Sequence, residues 1–164
     1  MKRIVMIFTA LLMAGAGLQA QEILTRFSTD RISCKYSYTI DIPVTLNYEG
    51  DALVQGDCYH LKGNGIELFC DGISRWTVDA EAREVYIENA EEVENILKEF
   101  LTYSKDIKAT GNTVTGTLID PEDDTNIKFA LKEITYLPLN DDLTPFKLDV
   151  ESLDETYLVT DLRF

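Results

Sequence analysis

Polar and apolar residues alternate from Ile32 to Asp41: Ile32, Cys34, Tyr36, Tyr38 and Ile40 share one face, and Ser33, Lys35, Ser37, Thr39 and Asp41 the other. Successive side chains of an extended chain point to opposite sides, so this period of two predicts a half-buried β-strand. Pro43 and the cluster Asn47 to Asp51 predict a loop. Beyond it, Leu53 to Lys62 and Ile66 to Cys70 read as two strands around Gly63-Asn64-Gly65, a natural tight hairpin. Asp71-Gly72 supplies a second turn of the kind that needs positive φ, and Ile73 to Val78 and Glu84 to Ile87 continue an antiparallel meander across Asp79 to Ala82.

The period changes at Asn89. Asn89 and Glu92 stand at capping-box spacing, and Val93, Ile96, Leu97, Phe100 and Leu101 follow at i, i+3, i+4, i+7 and i+8. One amphipathic helix is predicted from about Ala90 to Tyr103. A polar link through Thr110-Gly111-Asn112 leads to strands at Thr113 to Ile119 and Asn126 to Leu137, separated by a turn from Pro121 to Thr125. Ile127, Phe129 and Leu131 share a face, whereas Ile134 and Tyr136 have the opposite parity, which predicts a bulge near Lys132-Glu133. Strands at Phe146 to Val150 and Tyr157 to Phe164 bring the expectation to about nine strands and one long helix, an α+β but mainly β arrangement. No internal repeat or second domain is legible, so residues 21–164 are expected to form one domain.

Residues 1–20 follow another logic. Lys2 and Arg3 precede an almost wholly apolar run from Ile4 to Leu18, and Leu18-Gln19-Ala20 ends it on a small residue, the pattern of a secretory signal peptide. The run is shorter than the roughly 20 apolar residues that span a bilayer, so it is expected to be removed, with no cysteine nearby to carry a lipid anchor. Those residues hold two positive charges and no negative ones. The remaining 144 of the 164 residues therefore carry −16, against −14 for the whole chain. So acidic a surface repels nucleic-acid phosphates and anionic headgroups, which excludes nucleic acid and stable membrane insertion as expected partners. A 45% hydrophobic content is too high for a disordered acidic tail, and nine glycines with four prolines are too few for a low-complexity chain.

Candidate chemistry is sparse. Cys34, Cys58 and Cys70 would meet an oxidising compartment, and their odd number leaves one unpaired in a monomer. A three-residue loop at Gly63 to Gly65 would place Cys58 opposite Cys70, where a cross-strand bridge is possible. A two-residue turn would slip the pairing by one and leave three apolar thiols. His60 is the one histidine, which excludes any site needing two, including most zinc sites. Cys58 and His60 share a strand face about 7 Å apart, too far for a direct nucleophile–base hydrogen bond. No Gly-x-Ser-x-Gly, Walker or His-Glu-x-x-His motif occurs. The acidic runs Pro121 to Asp124 and Asn140 to Asp142 lack EF-hand spacing and read as solvated turns, while Trp76 reads as core. No enzyme activity, catalytic residue, metal or cofactor is expected.

A helix of about 14 residues, roughly 21 Å long, is too short to cover a nine-stranded sheet. Either the sheet closes on its own large side chains, as small barrels do, or it leaves an apolar surface that could take an apolar ligand.

Asp71-Gly72-Ile73-Ser74-Arg75-Trp76-Thr77-Val78, followed by Glu84-Val85-Tyr86-Ile87 and a helix, resembles the Asp-Gly-x-x-x-Trp strand pair of the periplasmic LolA-like lipoprotein carriers. Phe146-Lys147-Leu148-Asp149 looks like that family's late Phe-containing strand, and Asp161-Leu162-Arg163 is similar to an ending found in one of its branches. The resemblance spans roughly Ile32 to Arg163. It implies an unclosed β-barrel under a helical lid, acting in the periplasm as a monomeric carrier of lipoprotein acyl chains or a similar lipid. An inner-membrane donor and an outer-membrane acceptor are the implied partners. It also implies lipid-lining roles for Tyr36, Tyr38, Phe129 and the helix residues Val93, Ile96, Leu97, Phe100 and Leu101. The family's gate arginine has no counterpart in Asp57 to Gly65, and Lys62 lacks a guanidinium's planar fork. The alternatives from other classes are a β-rich periplasmic interaction module with a filled interior and, third, a secreted hydrolase.

Overall fold

The alternation that opens at Ile32 becomes strand β1 (Arg31–Asp41), which lies in the middle of a ten-stranded sheet. A computed structural model describes residues 21–23, 25–27, 29–41, 43–92, 102–120 and 122–163. The predicted signal peptide and the helix positions Val93, Ile96, Leu97, Phe100 and Leu101 lie outside the described residues. After β1 the strands are β2 (Thr45–Gln55), β3 (Cys58–Gly63), β4 (Ile66–Cys70), β5 (Ser74–Asp79), β6 (Glu84–Asn89), β7 (Ser104–Thr110), β8 (Thr113–Ile119), β9 (Asn126–Leu137) and β10 (Leu158–Asp161). They run in the spatial order β10-β6-β5-β4-β3-β2-β1-β9-β8-β7, all antiparallel except β10, which lies parallel to β6. The protein is thus mainly β, built on a single unclosed sheet with β10 and β7 at its edges.

Several elements depart from the sequence expectation. Asn47 to Asp51 is not a loop but the middle of β2: Thr39 donates its hydroxyl to the Asn47 side chain at 2.8 Å, and Gly50 stands opposite Tyr36. The single strand expected over Leu53 to Lys62 is broken at Gly56-Asp57, where Gly56 takes φ +58° and Gln55 pairs with Cys58. The β3–β4 hairpin turns on two residues, Asn64 (φ 52°) and Gly65 (φ 79°), with Gly63 opposite Ile66. That register puts Tyr59, not Cys58, across from Cys70, and all three cysteines are free, buried thiols. The segment from Ser104 onward, expected as a polar link, is edge strand β7, whose Ala109 is buried opposite Val114. An edge strand has one paired side, so polar side chains and an irregularity at Asp106 (φ 52°) cost it little. The expected bulge is present: Ser33 pairs with Thr135 but Lys35 with Lys132, and Glu133 takes φ 52°.

The alternation of Phe146, Leu148 and Val150 does not mark a strand. Thr144–Phe146 and Val150–Ser152 are 3₁₀ turns, the second capped by Asp149, whose carboxylate accepts from the Glu151 N–H. Phe146 is buried nonetheless, and Leu148 and Val150 are half-buried. Leu148, Val150, Leu153 and Tyr157 pack on Phe69, Trp76, Val78, Val85 and Ile87, covering one face of β4 to β6 before the chain adds β10 at the edge. Trp76 is therefore core, as its sequence context suggests. The opposite face carries the larger core around Ile32, Val54, Tyr59, Val114 and Ile134, against which Ile23 and Phe27 of the N-terminal segment pack.

Candidate functional site

On the face of that larger core, the even-numbered side chains of β1 meet alternate side chains of β2, β3, β4, β8 and β9 around an apolar cavity of about 610 Å³. Its size falls in the range of small-molecule sites, roughly 300–1,000 Å³. Tyr36 and Tyr38 of β1 and Phe129 of β9, the strand residues singled out from the sequence, all line it.

The register explains why large aromatic residues leave a void. Tyr38 stands between Phe129 on β9 and Tyr48 on β2, and Phe129 in turn faces Gly116 on β8. Two residue pairs along, Tyr36 stands opposite Gly50. A methyl group on Gly116 would meet Phe129 ring carbons at 2.7 and 2.9 Å, so that ring occupies the space where a side chain on β8 would project. A methyl on Gly50 would meet the Tyr36 hydroxyl at 2.6 Å, and one on Gly63 would meet it at 2.8 Å. The Tyr36 ring thus lies across β2 toward β3. Three glycines let two aromatic rings lie down on the sheet toward opposite sides, where upright rings would fill the interior. Close packing is the default for a protein interior, so a void of this volume needs such a device.

The lining has little polarity. Tyr48 stacks on Tyr38 with centroids 4.8 Å apart, and Ile40, Ala52, Leu61, Leu68, Leu118, Ile127 and Leu131 complete most of the wall. Burial pushes the Tyr36 and Tyr38 hydroxyls above their ordinary value, first by desolvation and then by neighbouring groups, Tyr38 and Asp51 for Tyr36 and Tyr48 for Tyr38. Cys34 also lines the cavity, and burial, with a smaller contribution from the Asp51 carboxylate, pushes its thiol up from 9.0 to about 11. The folded state holds that proton more tightly than the unfolded chain does. The stability this provides is full below pH 9 and is lost as the pH rises through about 11. Since the thiolate is the nucleophile, Cys34 in the folded protein is expected to alkylate at least tenfold more slowly than in urea at pH 8, with the gap narrowing toward pH 11. Mass spectrometry after a timed iodoacetamide pulse measures it.

The residues missed from the sequence, chiefly Tyr48, Leu118 and the β3–β4 positions, are those whose place depends on register. Ile127 and Leu131 were within reach, since both share a face with Phe129. His60 lies on the opposite face. Its Nε2 is 2.7 Å from Glu67 Oε1 and its ring stacks on Phe69 with centroids 4.1 Å apart, a cross-strand arrangement with Lys62 3.9 Å from the same carboxylate. Among the described residues no three His, Cys, Asp or Glu side chains come together as a metal site, and no helix is long and apolar enough to cross a membrane. No protein-family model matches the chain, and no curated protein matches it.

Proposed function

We propose that the protein is a non-enzymatic periplasmic carrier or binding protein that shields lipoprotein acyl chains or a similar lipid. The observation that supports this most is the apolar cavity of about 610 Å³ beside Tyr36, Tyr38 and Phe129. Each methylene moved from water to such a surface contributes about 0.8 kcal/mol, so a chain of about 15 methylenes would cost on the order of 12 kcal/mol if left exposed. A cavity that removes most of that cost is what transit of a lipid through water requires. An interaction module with a filled interior has no use for the void or for the glycines that keep it open. In this proposal the sheet acts as a half-barrel, and residues 93–101, with the helical period of Val93, Ile96, Leu97, Phe100 and Leu101, supply the lid. An inner-membrane donor and an outer-membrane acceptor would load and unload it.

Protein purified from the periplasm without detergent is expected to carry lipid in mass spectra of organic extracts. After delipidation it is expected to take up one equivalent of a fluorescent fatty acid with a micromolar or lower Kd. Protein that is empty as purified and takes up no fatty acid would exclude the carrier.

A further inference from the structure

The two edges of the sheet are built differently. On β7, Lys105, Asp106 and Lys108 stand along the strand, its pairing with β8 shifts register between Lys105 and Lys108, and Asp106 takes φ 52°. Charges and irregularities of this kind keep an edge from pairing with another chain. No residue of β10 takes positive φ, and its one charged residue, Asp161, is held by Arg163, whose Nε donates to Oδ1 at 2.8 Å. Leu158, Val159 and, just past the strand, Leu162 are 63%, 39% and 50% exposed.

The backbone of that edge is open in a defined pattern. Leu158 donates its N–H to the Arg83 carbonyl at 2.9 Å, and Leu162 donates to Ile87 at 2.7 Å, so alternate residues of β10 bond to β6. Val159 and Asp161, which lie between, turn their N–H and C=O groups outward, and among the described residues no strand lies beyond β10. By register Val159 and Asp161 share the face of Val85 and Ile87, which residues 148–157 cover, while Leu158 and Leu162 point to the other face. The approach to the edge is acidic. From Asp149 to Asp161 the chain carries five carboxylates and no lysine or arginine, and the neighbouring Arg83 is paired with Asp154 at 3.4 Å. We infer that β10 is a docking edge for an extended segment of another protein, added as a further strand, with apolar residues beside Leu158 and Leu162 and basic ones on the alternate positions.

Two fluorescein-labelled peptides of about seven residues, one alternating lysine with valine and the other glutamate with valine, test this by anisotropy at low salt with the full-length protein. The lysine peptide is expected to bind at least about tenfold more tightly, and on saturation to slow amide hydrogen exchange at Val159 and Asp161 but not in β7. Val159→Pro removes an outward N–H and none of the β10–β6 bonds, so it should weaken the lysine peptide about tenfold or more. Val159→Thr, which keeps the N–H, should change its Kd by less than about threefold. Should the proline variant fail to fold, the exchange pattern of the unaltered protein decides. No binding, equal binding of the two peptides, protection at β7 instead of β10, or full binding by folded Val159→Pro overturns the inference. A concentration-dependent dimer of the protein alone that Val159→Pro abolishes would also overturn it, by assigning the edge to a second copy of this chain.

Discussion

Replacing Phe146 with alanine is expected to cost about 4 kcal/mol of folding stability, and to lower the melting temperature by roughly 10 °C or more, the largest effect of any single truncation described here. Phe146 is 0% exposed and closes the 3₁₀ turn Thr144–Phe146 under β3. Its ring lies 5.1 Å from the guanidinium carbon of Arg31, which is itself buried. Arg31 donates to the Asn140 and Asp142 carbonyls at 3.0 and 2.8 Å and to the Gln55 side chain at 2.7 Å, and Gln55 donates to the same Asn140 carbonyl. The ring thus seals a polar knot that ties the start of β1 to the segment leaving β9. Removing it adds a cavity to the lost transfer energy and weakens the cover over a buried cation. Leu139, 63% exposed beside the same knot, is the control: Leu139→Ala should stay within about 0.5 kcal/mol of the unaltered protein. Urea unfolding followed by Trp76 fluorescence measures both. A Phe146→Ala loss below about 1 kcal/mol would mean that the C-terminal segment contributes little to the fold.

What the sequence disclosed and what it hid divide along the same physical line. Where one face of a strand is buried and the other solvated, the pattern is plain, as in β1, in β8 and in β9 with its bulge. Turns at Gly63-Asn64-Gly65 and at Asp71-Gly72 were equally plain, though not the length of the first, because positive φ restricts the residues that fit. The middle of β2 was hidden because Asn47, Gly50 and Asp51 are loop-forming residues, yet Gly50 is in the strand so that Tyr36 can lie over it. β7 was hidden because an edge strand tolerates Lys105, Asp106 and Lys108. Phe146 to Val150 misled in the opposite sense, since alternating burial appears there without strand pairing. The cavity was half legible. Tyr36, Tyr38 and Phe129 could be placed on a shared apolar face, but the glycines beneath two of those rings are paired with them only by register, which a single sequence does not reveal. The Cys58–Cys70 question likewise turned on one residue of loop length.

The glycines that flatten the rings should not be equivalent, and the difference separates what holds the sheet together from what holds the cavity open. Gly50→Ala is expected to cost about 3 kcal/mol, because the added methyl runs into the Lys62 backbone carbonyl on β3 as well as into Tyr36, and a backbone atom inside a ladder cannot step aside. Shortening the ring in a Gly50→Ala, Tyr36→Leu double variant should therefore recover little. Gly116→Ala meets mainly the Phe129 ring, with the nearest backbone atom, the Lys105 carbonyl, at 3.2 Å. A side chain can turn where a backbone cannot. This variant is expected to lose no more than about 1 kcal/mol of stability while the displaced ring takes up cavity volume, weakening fatty-acid binding about tenfold. Adding Phe129→Leu should restore binding, so the two substitutions would be strongly non-additive. Urea melts and fluorescent fatty-acid titrations on the four variants read the two effects separately. If Gly116→Ala bound fatty acid as tightly as the unaltered protein, the flattened Phe129 ring would not be what keeps the cavity open.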